Sequence, residues 1–207
     1  MISGSARPVV AKIVAPVIGR LARSGVTPDA ITITGTLGAV AGAVGLIGTG
    51  QLFWGAFTVT VFVLLDMLDG ALARARGGGS LFGAVLDSTG DRAADVAIFG
   101  ALVWWFSGAG DNRLIVLLAL LCLVLGVLTS YIKARAEGVG LSCDVGVAER
   151  TERLILVLVG TGFSGLGIPY ALHVALWVLL VVSAITVGQR FLVVRQAGSG
   201  PLAPQTP

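Results

Sequence analysis

The chain has 207 residues, 56% of them hydrophobic and 12% charged, with a formal net charge of +3 and a mean hydropathy of +0.95. That composition excludes an ordinary soluble domain and marks a membrane protein. Two cysteines, Cys122 and Cys143, in an apolar run and a loop, exclude a disulfide framework.

In chain order, residues 5–24 come first. Val9, Val10, Ile13, Val14, Val17, Ile18 and Leu21 recur at helical spacing, while Arg7, Lys12, Arg20 and Arg23 lie mostly off that stripe. This predicts an amphipathic helix on the membrane surface, its basic side chains against anionic head groups. Lys12 and Pro16 interrupt the apolar run, so no cleaved signal peptide is expected. Six stretches then approach the roughly 20 apolar residues that a spanning helix needs: about 30–50, 53–75, 82–106, 113–134, 152–168 and 169–190. The fold expected is an all-α membrane protein of six transmembrane helices behind a surface helix. One domain over 1–195 and a disordered Pro/Gly-rich tail over 196–207 complete it.

Charge position predicts orientation. Arg74, Arg76, Lys133, Arg135, Arg150, Arg153, Arg190 and Arg195 all fall on the side of the N-terminal basic residues, and the other face keeps Arg113 beside Asp111. Basic residues collect on the cytoplasmic side, which places both termini and this charged mouth in the cytoplasm of a multi-pass cell-membrane protein.

The stretch from Asp66 to Asp95 holds five of the chain's 11 acidic residues. Asp66, Asp69, Gly70, Ala73 and Arg74 follow i, i+3, i+4, i+7, i+8 spacing on one helix, and Gly83, Asp87, Asp91 and Asp95 repeat every fourth residue on the next. Each set shares a face, and the GGGS break lets the two acidic faces meet across a hairpin. Carboxylates at membrane depth cost several kcal/mol each, by order of magnitude, unless paired, hydrated or bound to a cation. One or two divalent cations would remove the repulsion of four converging aspartates. The small residues Gly70, Ala73 and Gly83 leave room at the backbone, and metal beside space suggests a phosphate ligand. A helix-locking network with Arg74, Arg76 and Arg92 is the plainer alternative; Asp95, one turn deeper, is expected to pair with Arg92 or cap the network rather than hold metal.

Read as D-x2-D-G-x2-A-R-x8-G-x3-D-x3-D, the residues Asp66, Asp69, Gly70, Ala73, Arg74, Gly83, Asp87 and Asp91 match without a gap the signature of the CDP-alcohol phosphotransferases. The chain resembles that family over nearly its whole length. The resemblance implies transfer of a phosphatidyl-type group from a CDP-linked donor to an alcohol, with CMP leaving. It implies two divalent ions, Mg2+ or Mn2+, on Asp66, Asp69 and Asp87, with Asp91 beside them as a further ligand and as the base that takes the acceptor proton. The segment TPDAIT resembles the family's P-N-x-x-T/S element through Pro28 and Thr32, with Asp29 where Asn is usual. Donor contacts are therefore expected at Pro28, Asp29, Thr32, Gly70, Ala73, Arg74 and Gly83, with Arg74 gripping the pyrophosphate. Pro28 and Asp29 also suit a helix start.

Ser130 and Lys133 share a helical side, and Lys133, Arg135, Arg150, Arg153 and Arg195 lie at the ends of three helices. Such residues often do no more than set topology, yet together they suit a phosphorylated acceptor. The wording SYIKARAE and ERTERLI resembles an actinobacterial branch of the family that joins CDP-diacylglycerol to inositol 1-phosphate, giving phosphatidylinositol phosphate and CMP. That resemblance puts the acceptor phosphate on Ser130, Lys133, Arg135, Arg153 and Arg195, and implies a homodimer among membrane lipids with no nucleic-acid partner. Glycerol 3-phosphate is the alternative acceptor, and a divalent-cation transporter the alternative class.

Overall fold

The computed structural model describes residues 25–198, so the predicted surface helix over 5–24 and residues 199–207 lie outside the described residues. Six α-helices follow: α1 (Pro28–Gly45), α2 (Leu52–Ala75), α3 (Leu81–Ser107), α4 (Arg113–Gly138), α5 (Arg150–Gly165) and α6 (Ala171–Ala197), with a short 3-10 turn at Ile47–Thr49. The described residues contain no strand.

Local chemistry sets the boundaries. Thr27 caps α1 by accepting from the Ala30 amide at 3.2 Å, with Pro28 in the first turn, where its missing N–H costs nothing. The helix start expected at Pro28–Asp29 is thus observed, with Thr27 as the capping side chain. In the GGGS break, Gly77 and Gly78 adopt φ of +97° and +131°, conformations that a side chain disfavours; Ser80 then caps α3 by accepting from the Gly83 amide at 2.8 Å. Asn112 caps α4 through the Ile115 amide at 3.1 Å and reaches His173 Nε2 at 3.0 Å.

The helices close into a ring. α1 packs on α2 and α3, α3 on α4, α4 on α6, α6 on α5, and α5 back on α2. Inside lie Val59, Ile98, Leu102, Leu118, Val157, Leu176 and Leu179, all buried. Outside, Trp54, Phe57, Trp104, Leu120, Val181 and other large apolar side chains are exposed, the surface that a hydrocarbon environment covers.

Among the described residues, four helical segments are long and apolar enough to cross a membrane: Pro28–Thr49, Leu52–Ala75, Arg113–Gly138 and Ala171–Ala197. All six expected spans are helical. α3 has the length, but Asp87, Asp91, Arg92 and Asp95 crowd its first half; α5 has only 16 residues. The last helix passes the expected end of its apolar span at 190 and runs through Ala197.

The acidic faces of α2 and α3 meet as expected, with carboxylate oxygens of Asp66, Asp69 and Asp87 within 4.8 Å of one another, and α1 packs against both helices. The approach is close: a Cβ on Gly35 of α1 would stand 2.8 Å from Asp66 Cβ, and one on Gly90 of α3 would stand 2.5 Å from Thr36 Oγ1. Small residues at these crossings let backbones draw together.

Candidate active site

α2 and α3 carry their acids to the α1 crossing. Single carboxylate oxygens of Asp66, Asp69 and Asp87 lie within 4.8 Å of one another. Asp66 is buried and its Oδ1 has no hydrogen-bond partner. Asp69 accepts hydrogen bonds from Thr32 Oγ1 and from the Gly70 amide, so α1 orients a carboxylate of α2. Three negative charges at this spacing, one with an orphaned buried oxygen, make an oxygen-rich site that fits a hard divalent cation.

Asp91 stands outside that trio. Its buried Oδ1 makes an ion pair with Arg150 Nη1 at 2.7 Å, a charge contact rather than an aligned hydrogen bond. Asp95 lies deeper and is met by three guanidiniums: Arg92 at 3.3 Å, Arg150 at 3.5 Å and Arg153 at 3.6 Å. The expected Arg92–Asp95 pairing is observed, and among the described residues Asp95 is not part of the metal-ligand cluster.

Two of the expected donor residues, Thr32 and Gly70, touch Asp69 of the trio. Asp29 Oδ1 lies against Gly83, where a Cβ would stand 3.1 Å away, and Arg74 folds back over Gly70, its Nη1 3.4 Å from where a Cβ would be. Pro28 is partly buried at the start of α1, and Ala73 is partly buried next to the exposed Arg74. The N-terminus of α1, the end of α2 and the first turn of α3 therefore form one rim.

The basic residues are more scattered than their helix ends suggest. Arg153 is buried and lies along α4, its Nε 3.7 Å from where a Gly126 Cβ would be. Ser130, one turn on from Gly126, accepts from Arg92 Nη1. Lys133 is held by Asp144 at 2.5 Å and Glu137 at 3.7 Å. Asp144 is exposed, and the hydrogen bond from Lys133 holds its carboxyl below the usual carboxylate range. Arg135 and Arg195 are exposed near the ends of α4 and α6.

Arg92 and Arg150, expected as an ion-pair partner of Asp95 and as one of the basic residues that suit a phosphorylated acceptor, both meet the acids of α3; Arg190 carries no expected site role. Arg190 is buried, donating to Val145 O at 2.9 Å and Thr129 O at 2.5 Å, and its charge reaches Lys133 and Arg153. The apolar pattern sets it just past the sixth span; the helix in fact continues beyond it, and a cation that far inside an apolar helix is the signal that it points inward.

A cavity of about 450 Å3 opens between α2 and α5. Phe57, Thr60 and Met67 line one wall and Leu154, Ile155 and Leu158 the other, with Arg150 at the polar end. α2 and α5 run antiparallel here, since Gly165 abuts Phe53 at one end while Met67 and Arg150 share the other. The result is an apolar groove lined at one end by an arginine that is ion-paired to Asp91 and Asp95, an arrangement that suits a membrane enzyme acting on an amphiphile with a phosphorylated head.

A family model for CDP-alcohol phosphatidyltransferases matches residues 25–188, and the chain belongs to that family. It is 51% identical over 190 residues to the phosphatidylinositol phosphate synthase of Mycobacteroides abscessus, covering 91% of this chain and 86% of the relative. With that of Streptomyces avermitilis it shares 43% over 203 residues, 95% of this chain and 83% of the relative. The crystal structure of the Mycobacterium tuberculosis phosphatidylinositol phosphate synthase with CDP-DAG bound superimposes with a TM-score of 0.87 at 49% identity, covering 94% of this chain and all of that one. The same enzyme in complex with manganese and citrate superimposes at 0.85, also at 49% identity, over 91% of this chain and 92% of that one.

Proposed function

We propose that the protein transfers the phosphatidyl group of CDP-diacylglycerol to inositol 1-phosphate, releasing CMP. The observation that carries this reading is the carboxylate trio, Asp66, Asp69 and Asp87, joined to an apolar groove through Arg150, which lines the groove and also a small space shared with Asp66. The groove suits an acyl chain of the donor, so that the α1–α2–α3 rim meets its phosphates. Arg74 and the N-terminus of α1 offer donors to phosphate oxygens.

Asp66, Asp69 and Asp87 would hold two divalent ions, Mg2+ or Mn2+, whose bound charge would neutralise the diphosphate and the departing CMP. Asp91 takes the proton as the acceptor oxygen attacks the phosphorus that bears diacylglycerol; a new P–O bond forms and the bond to the CMP oxygen breaks. Asp91 is also proposed as a further metal ligand. Lys133, Arg153, Arg135 and Arg195, with Ser130, are proposed to hold the acceptor phosphate, and Arg190 joins them because its charge reaches both Lys133 and Arg153. A dianion needs several charge-assisted donors. The distribution of basic residues supports a cytoplasmic mouth and cytoplasmic termini in the cell membrane, and the family resemblance supports a homodimer.

The test is CMP release by the purified protein with CDP-diacylglycerol and Mg2+, run with inositol 1-phosphate, glycerol 3-phosphate and free inositol in parallel. Release with inositol 1-phosphate alone is expected. Release with glycerol 3-phosphate alone transfers the assignment to that acceptor, and silence with all three removes the transferase reading.

A further inference from the structure

Arg150 is the first residue of α5. A helix N-terminus carries partial positive charge, so a cation there is mildly disfavoured by its own helix. Tertiary contacts hold it instead. Its Nη1 lies 2.7 Å from Asp91 Oδ1 and its Nε 3.5 Å from Asp95 Oδ1, so one planar guanidinium spans two carboxylates that are neighbours on α3. The same side chain lines the apolar groove between α2 and α5, and the small space at the α1 crossing bounded by Gly35, Asp66 and Gly90.

Among the described residues, Asp91 has no other ion-pair partner: the remaining ion pairs around it, from Arg92 and Arg153, go to Asp95. A carboxylate on a short side chain can rotate, and a base must present one oxygen to one proton at hydrogen-bond distance. The oxygen that Arg150 takes is the buried one. We propose that Arg150 is a positioning residue for the transfer, holding the inward oxygen of Asp91 so that the outward one faces the acceptor hydroxyl. Asp95 has the complementary task of anchoring the guanidinium from behind. This rests on the reading of Asp91 as the base.

Positioning predicts a particular kinetic pattern. A misplaced base slows the chemical step without loosening either substrate, and a misplacement of about 1 Å can cost on the order of 100-fold. In the full-length protein, Arg150→Gln, which keeps most of the side-chain length and loses the charge, is expected to lower kcat about 10- to 100-fold. The KM values for CDP-diacylglycerol and for inositol 1-phosphate should stay within about threefold. Arg150→Lys should recover part of the loss, because an ammonium keeps the charge but cannot span both carboxylates as a planar fork does. Thermal unfolding midpoints of both variants should remain near that of the parent.

Three results overturn the proposal: a kcat within twofold of the parent in Arg150→Gln; equal loss in kcat, both KM values and thermal midpoint, with no gain in Arg150→Lys; or failure of Arg150→Gln and Arg150→Ala alike to fold, which makes the residue a structural staple. Asp91→Asn, measured beside them, separates the premise from the inference. Retained turnover in Asp91→Asn removes the base itself, whereas a dead Asp91→Asn with a normal Arg150→Gln removes only the role of Arg150.

Discussion

The acidic and basic halves of the site are built differently. Asp66 and Asp69 share a face of α2, Asp87 and Asp91 a face of α3, and a three- or four-residue spacing suffices to align each pair. The basic half draws Arg92 from α3, Ser130 and Lys133 from α4, Arg153 from α5 and Arg190 from α6, with Asp144 on the connecting segment between α4 and α5. Helical periodicity aligns none of these across elements. A metal-binding half can therefore be read from one motif, while a pocket for a soluble anion exists only after several helices have packed.

The contrast is sharpest at Asp91. Asp91→Asn is expected to reduce turnover by about 10^2- to 10^4-fold, the usual worth of a positioned base, while CDP still binds. CMP release and CDP binding on one preparation check it, and parallel loss of both would mean that the acidic half had collapsed.

Gly35→Ala probes how far that half depends on a third helix. The added Cβ would stand 2.8 Å from Asp66 Cβ and 3.0 Å from its Oδ1, and overpacking of this kind costs about 1–3 kcal/mol. A lower thermal midpoint and a turnover reduced by about tenfold are expected, with a higher Mg2+ requirement. An unchanged Mg2+ titration would sink the idea that α1 sets the spacing of the acids.

Arg190→Ala tests the basic half. It removes donors from Val145 O and Thr129 O and a positive charge near Lys133 and Arg153. The KM for inositol 1-phosphate should rise about tenfold, the size of one charge-assisted hydrogen bond, with the KM for CDP-diacylglycerol little altered. Equal weakening of both substrates would make Arg190 a brace for the fold.

The smallest effect belongs to Asp144→Asn. The Lys133–Asp144 pair is exposed, and such pairs contribute little, so the acceptor KM should change by less than about threefold. Asp144 titrates below the ordinary carboxylate range because Lys133 donates to it. A depressed folded value means that the contribution is present above the unfolded value and is lost only as pH falls through the folded one. The effect of the substitution should therefore be the same at about pH 6 and pH 8, and a strong dependence in that window would assign the titration to another group.

Much of the fold and of the acidic half is legible in the order of the residues. The eight-position signature, the helix start at Pro28, the GGGS break, the apolar runs of α1, α2, α4 and α6, and the Arg92–Asp95 pairing follow from local rules: period, turn and cap chemistry, and the cost of a buried charge. The helices α3 and α5 are legible as well, although the charged first half of α3 lowers its apolar character and α5 has only 16 residues. Arg190 escapes the apolar pattern because the last helix outruns its apolar stretch.

By itself the sequence determined the class of chemistry, since a fixed spacing of aspartates on helices leaves few directions in which their carboxylates can point. Only the tertiary structure decided that α1 lies against both acidic helices, that Arg150 faces Asp91 and also lines an apolar groove, and that Arg190 turns inward. Those are contacts between residues far apart in the chain, and they follow from how the ring of helices closes around its core.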